Sequence, residues 1–273
     1  MKKTLFLLLT FSVFFFSSCQ DVVDIPLDNQ EPKLVIDAAI NWEKGTIGAT
    51  QTIKLTTTTD FYTNTIPVVS GASVSVINSS NVVFNFIEKP NTGEYICTNF
   101  VPVINEVYTL NILNKGQTYS ATEKMIPVAP IINVTQTTVT GFGGNILKLN
   151  GNFIDPPNID NYYLFSFKYA KDIRPKYKAN EDKFFNGNPY FSIDFKNDLN
   201  VGDQLYLTHF GISKEYFNYI KIIIELSGTQ GGAPFSTPSA TAKGNIKNTT
   251  DFNNFPLGYF RLCETSSKTY IVQ

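Results

Sequence analysis

Cys19 is the residue whose chemistry the sequence specifies most directly. It follows Ser17 and Ser18 at the end of an apolar run, residues 5–16, with Lys2 and Lys3 just ahead of that run. A positive start, a short apolar stretch and a small-small-Cys ending make a secretory leader of lipoprotein type. The Cys19 thiol would take a diacylglycerol thioether, with the leader cut just before it. The run is too short to span a bilayer, so attachment is expected through lipid alone.

Other reactive groups are sparse. A nucleophile–histidine–acid triad would have to be built on His209, the single histidine. It lies in a strand pattern between Thr208 and Phe210, and reads as a strand histidine bonded to backbone or water. Glu181, Asp182 and Asp203 are candidate carboxylates for glycoside hydrolysis, but nothing in their spacing sets the separation that reaction needs. Solvated loop acids are the plainer reading. Loop oxygens of Asp155, Asp160, Glu181 and Asp182 could hold calcium, though without EF-hand spacing. Gly141-x-Gly143-Gly144 lacks the following helix of a phosphate loop. The expectation is therefore no catalytic residues, no metal site and no cofactor.

Binding demands less. Trp42, Phe184, Phe185, Tyr190 and Phe235 fall in or beside loops, where aromatics stack on sugar faces or anchor a protein partner. Phe184-Phe185, between acids and Asn186-Gly187, stands out. Core or edge packing is the alternative for each. Cys97 and Cys263 read as two separate, partly buried thiols, with a disulfide as the alternative in an oxidising envelope.

Composition limits the partners. The chain carries 22 Lys+Arg against 23 Asp+Glu. Cleavage before Cys19 removes two lysines and moves the net charge from −1 to −3, which gives no reason to expect nucleic acid. Thr, Ile, Phe and Tyr, all abundant, favour pleated, half-buried surfaces.

The elements that would position these residues are mostly strands. After the leader (1–18), residues 19–32 look like a lipidated tether, with Pro26, Pro32 and four spread acids. From residue 33 short alternating runs follow: 33–40, 50–58, 73–77, 82–87, 93–100, Tyr108-x-Leu110-x-Ile112, and 117–123 after the turn Asn114-Lys115-Gly116. Such a series of short strands predicts an immunoglobulin-like β-sandwich over 33–125. Pro127 and Pro130 mark the expected boundary. A second β-rich domain, 126–273, carries strands at 131–138, 145–149, 161–170, 190–195, 203–209, 257–262 and 269–272. Residues 180–188 read as a polar loop and 228–244 as a long Gly/Pro/Ser loop. Ser213 as N-cap, with Tyr216, Phe217, Ile220, Ile223 and Ile224 at helical spacing, predicts one amphipathic helix over 214–226, with a strand favoured by the β-branched Ile222, Ile223 and Ile224 as the alternative.

Several segments together resemble a known family. They include Pro67-Val68-Val69-Ser70-Gly71-Ala72, Gly93-Glu94-Tyr95, Asp155-Pro156 with Asn161-Tyr162-Tyr163, Asp182-Lys183-Phe184-Phe185-Asn186-Gly187, Gly244-Asn245-Ile246 and Gly258-Tyr259-Phe260. Their order and spacing are similar to the DUF4249 family of Bacteroidota outer-membrane lipoproteins, over nearly the whole mature chain. The resemblance implies an accessory lipoprotein, surface-exposed on the outer membrane and associated with a TonB-dependent receptor in nutrient capture. It implies no catalytic residues. Arg261-Leu262-Cys263 departs from the small residues expected after Gly-Tyr-Phe. The leading expectation is a non-enzymatic binding component. A structural or adhesion-type surface lipoprotein is the alternative, and a hydrolase is less favoured.

Overall fold

The computed structural model describes residues 31–60, 63, 65–141, 144–227 and 242–273. Cys19, Phe235 and most of the 228–244 loop lie outside the described residues. Residues Pro32–Gln273 form one compact unit.

Period-2 burial builds the first half. Its strands are β1 (Leu34–Glu43), β2 (Gln51–Thr57), β3 (Ser73–Asn78), β4 (Val83–Lys89), β5 (Glu94–Cys97), β6 (Val107–Asn114) and β7 (Gln117–Ile126). Tyr108, Leu110 and Ile112 point inward from β6, and β3 alternates in the same way. Lys115 (φ 47°) and Gly116 (φ 76°) make the two-residue loop that closes β6 onto β7. Two consecutive positive φ values are the geometry whose twist matches an antiparallel pair.

The sheet does not stop at β7. The 15-residue strand β15 (Leu257–Ile271) runs parallel to β1 and meets β7 at Leu262 and Cys263. The order β15-β1-β2-β5-β4-β3-β6-β7 therefore returns to β15, an eight-stranded, barrel-like ring. This corrects the expectation of a clearly separated two-sheet sandwich: a strand from the second half fills the seam between β1 and β7. Ile36, Ile40, Leu55, Phe84, Tyr95 and Tyr108 are among the side chains buried inside it. Gly258 admits no side chain, since a Cβ would stand 2.0 Å from the Ile36 carbonyl oxygen at φ +99°.

The second half stacks two sheets. β8 (Asn133–Gly141), β9 (Gly144–Ile154) and β12 (Pro189–Lys196) form a three-stranded sheet in the order β12-β9-β8. It packs on β11 (Lys176–Glu181), β10 (Tyr162–Tyr169), β13 (Gln204–Ile212) and the far end of β15. Phe153 and Leu149 of β9 meet Phe165, Phe167, Leu205 and Leu207 in the core between the sheets. Gly151 lets β9 approach closely, because a Cβ there would lie 2.4 Å from a Leu207 methyl.

The helix α1 (Lys214–Leu226) covers the other face of β10 and β13. Ser213 caps it, its hydroxyl accepting from Tyr216 N at 3.2 Å. Tyr216, Phe217 and Ile224 turn inward against Leu164, Phe210 and Tyr259. That packing outweighs the modest helix penalty of three consecutive isoleucines. The two-residue strand β14 (Lys247–Asn248) adds to β7. Among the described residues no helix is long and apolar enough to cross a membrane.

Candidate functional site

The candidate catalytic groups are held apart. His209 points into the core between the sheets, its ring 4.1 Å from Phe165, 4.7 Å from Phe153 and 4.8 Å from Tyr163. Neither imidazole nitrogen makes a hydrogen bond of ordinary geometry; the Ala129 backbone is the polar group that acts on the ring. Burial drives its pKa down to about 3. This neutral, sealed imidazole cannot reach a substrate.

The loop acids are spoken for as well. Asp155 is fully buried and accepts from the Tyr163 hydroxyl and from Gly187 N at 2.9 Å. Burial pushes its carboxyl pKa up, against those two donors. Asp182 accepts from Asn161 N at 2.8 Å and Asn186 Nδ2 at 3.1 Å. Asp203 is tied to Lys171 at 3.2 Å, and Glu181 ends β11 facing solvent. Among the described residues no three His, Cys, Asp or Glu converge as metal ligands. Cys97 and Cys263 are both buried and free.

The aromatic candidates separate by burial. Trp42 packs against the first-half core, and its indole N–H donates to the Thr46 carbonyl at 2.8 Å. Phe185 is buried and stacks face to face on Tyr190, centroids 3.6 Å apart. Phe184, its chain neighbour, is 90% exposed. Tyr190 also stacks on Phe191 at 5.5 Å and so leads into a region where polar and aromatic groups meet.

That region lies between β11 and β12, each the terminal strand of its sheet. A cleft of about 380 Å³ opens there, lined by Lys178, Tyr190, Phe191, Ser192 and Phe195 among others. Alternation along β12 sorts its side chains. Ser192 and Asp194 turn inward and are buried, while Phe191 and Phe195 stand outward at 38% and 50% exposure. Asp194 holds Lys176 at 2.8 Å and Lys178 at 3.5 Å, and accepts from the Tyr169 hydroxyl at 3.1 Å. Lys178 also donates to the Ile193 carbonyl, so a side chain rather than backbone pairing bridges the two edges. Burial lowers the Lys178 pKa, and Asp194 offsets part of that effect. The Ser192 hydroxyl is buried with no hydrogen-bond partner among the described residues. Phe191, Ser192 and Lys178 are not among the residues singled out by sequence. The signal available was an aromatic on both faces of one strand, with two lysines two residues apart in the facing segment.

A family model described as "Domain of unknown function (DUF4249)" matches residues 20–269. The chain belongs to this family. The segments that resembled DUF4249 in the sequence meet in pairs in the structure. Asp155 and Tyr163 meet Gly187, and Asn161 meets Asp182 and Asn186. The Tyr95 hydroxyl donates to the Val69 carbonyl and accepts from Ala72 N. Asn245 bonds both the N–H and the carbonyl of Phe260. These DUF4249 segments act as clasps between loops and strands. No curated protein matches the chain. Among solved structures, the DUF4249 chain is similar to a two-fibronectin type-III-domain segment of chicken tenascin. The identity is 12%, coverage is 67% of this chain and 91% of that one, and the TM-score is 0.22. It is also similar to a cytokine receptor complex (8% identity, 66% and 89% coverage, TM-score 0.24). A third is a DUF4785 family protein of Legionella pneumophila (11% identity, 65% and 52% coverage, TM-score 0.24). At these scores the likenesses carry no functional argument.

Proposed function

We propose that this DUF4249 protein is a non-enzymatic binding lipoprotein, anchored through lipid on Cys19 to the outer membrane and facing outward. It acts as an accessory to a TonB-dependent receptor in nutrient uptake. The observation that carries the binding role is strand β12. It presents Phe191 and Phe195 to solvent while its free edge opens onto a cleft lined by Lys178, Tyr190 and Ser192. Exposed aromatic anchors beside a polar cleft suit capture or docking. The burial of His209 and the engagement of Asp155, Asp182 and Asp203 by their own neighbours favour binding over hydrolysis. An immunoglobulin-like first half belongs to the same reading: β1–β7 wrap one core with the short turns of such modules. Its barrel-like closure by β15 would then serve to seat the second half.

A tagged full chain, purified in gentle detergent from native membranes, should bring a β-barrel receptor with it, and Phe191→Ala/Phe195→Ala should lose that receptor. Purification without any β-barrel partner overturns the receptor role. Cys19→Ala should release the protein from membranes, and protease added to intact cells should digest it; protection would place it inside.

The outer face of the three-stranded sheet favours a second reading, a structural or adhesion-type surface protein. Phe191, Asn152 and Asn133 lie side by side across it, as do Ile193, Asn150 and Thr135. A flat aromatic and amide surface of this kind suits adhesion to an extended glycan. Binding of whole polysaccharide with no co-purifying receptor would favour it.

A further inference from the structure

A second cavity lies in the fold, away from β12. It is about 240 Å³ and sits between α1 and the β1–β15 pair. Tyr216 and Tyr219 of α1 and Tyr259 of β15 form its walls. Tyr259 stands 4.9 Å from each of the other two rings, and those two are 6.0 Å apart. Arg261 and Asp37 also line it.

Arg261 is the unusual member. Its guanidinium lies 5.2 Å from both the Phe210 and Tyr216 rings. One of its terminal nitrogens donates to Asn41 Oδ1 at 2.8 Å and contacts Cys263 Sγ. Its remaining donors have no hydrogen bond, and no carboxylate lies within ion-pair distance among the described residues. Arg261 is half-buried, and a cation removed even partly from water is costly to hold without an anion. Parallel pairing of β1 with β15 places Asp37 beside Tyr259 and Ala39 beside Arg261. Asp37 thus sits one step along the same face, exposed at the rim. It is close enough to act on Arg261 electrostatically but too far to pair with it.

We infer that this pocket binds a zwitterionic α-amino acid, its carboxylate on Arg261 and its ammonium between Asp37 and the tyrosine rings. The elimination is electrostatic. A plain anion would meet Asp37 at the mouth, and a plain cation would meet Arg261 at the floor. A neutral ligand would leave the partly buried guanidinium without a counter-charge. A zwitterion satisfies both charges, with the tyrosine faces adding cation–π attraction for the ammonium. The volume suits a small metabolite rather than a drug-sized one. Ile220 and Ile223, which complete the wall, favour an apolar side chain.

The test is calorimetric titration of the full chain in detergent with glycine, L-alanine and L-leucine, each also as its amide and its N-acetyl derivative. At least one free amino acid should bind, with its amide and N-acetyl forms each at least about tenfold weaker. Arg261→Gln should erase the difference between acid and amide. Asp37→Asn should erase the difference between free and N-acetylated forms. Equal binding of all three forms, or no binding by any of the three free amino acids at millimolar concentration, overturns the assignment. Because Arg261 is wedged between two rings, Asp37→Asn, at an exposed position, decides the matter if Arg261→Gln fails to fold. In that case an unchanged preference for the free amine rejects the site.

Discussion

Phe165 and His209 face each other across the β10–β13 pair, with ring centroids 4.1 Å apart and planes within 14° of parallel. A charged imidazole could not stay there. The folded protein keeps His209 neutral down to about pH 3, whereas the unfolded chain protonates it near the ordinary value of 6.5. Between those values the unfolded state binds the extra proton. Stability is therefore full above pH 6.5 and falls as pH descends toward 3, by at most about 1.4 kcal/mol per pH unit from this group. His209→Phe should be less sensitive to acid than the parent when urea unfolding is compared at pH 7.5 and pH 5. Identical pH dependence in the two proteins would rule this out.

Asp155 joins three parts of the chain through one carboxylate. Replacing it with alanine strands the Tyr163 hydroxyl and the Gly187 N–H in a buried place, at a cost of about 3 kcal/mol. Tyr163→Phe removes a single donor and should cost less, about 1 kcal/mol. The double variant should lose less than the sum of the two, as expected of contacting groups. Additive losses in denaturant unfolding would mean that the clasp does not act as a unit.

Asp194 is the anchor for two lysines at the open seam. Asp194→Asn should cost about 1 kcal/mol, because the two lysines it leaves unpaired are partly exposed to solvent. It should also lower the Lys178 pKa further, since its main offsetting charge is gone. The unfolded chain would then hold the Lys178 proton more tightly than the folded one, so the variant should regain stability as pH rises toward 10.5. Nuclear magnetic resonance titration of labelled lysine reads the pKa directly, and an unmoved Lys178 would refute the coupling.

The exposed aromatics of β12 should behave unlike the buried ones. Phe191→Ala and Phe195→Ala should each change stability by less than about 1 kcal/mol, whereas Phe153→Ala should cost about 4 kcal/mol. A large stability loss at Phe191 or Phe195 would show them to be core residues and remove them from any binding surface.

Much of this architecture is legible in the residues. The helix spans the predicted 214–226, because Ser213 and the Tyr216/Phe217/Ile220/Ile223/Ile224 spacing act locally. Strands such as β3 and β6 announce themselves by alternation, since one of their faces is always wet. From sequence β15 reads as two short strands, 257–262 and 269–272, for a physical reason. Between its apolar ends lie Glu264, Thr265 and Ser266, all buried and polar. Glu264 is satisfied by Lys44 and by the Val128 N–H, and Ser266 by the Ile131 N–H, partners invisible to a local pattern. β11 enters the expected polar loop 180–188 at Asn180 and Glu181, because a lysine-rich edge strand shows no apolar alternation until the Asp194 carboxylate is in place to hold Lys176 and Lys178. The Phe184-Phe185 pair drew attention as a unit, yet adjacent residues point opposite ways, one into the core and one into water.

The ring of the first half has a sequel in time. Glu264 lies 136 residues beyond Val128, to which it is bonded, and the β7–β15 contact spans a similar stretch. The seven strands of the first half are therefore complete long before the strand that joins β7 to β1 exists. A chain threaded through a membrane from its N-terminus would arrive with its ring open and would close it only after the second half had followed. In such a chain late closure would favour transit in an unfolded form, and a polypeptide cut short before β15 would keep the β1 and β7 edges unpaired and open to proteases.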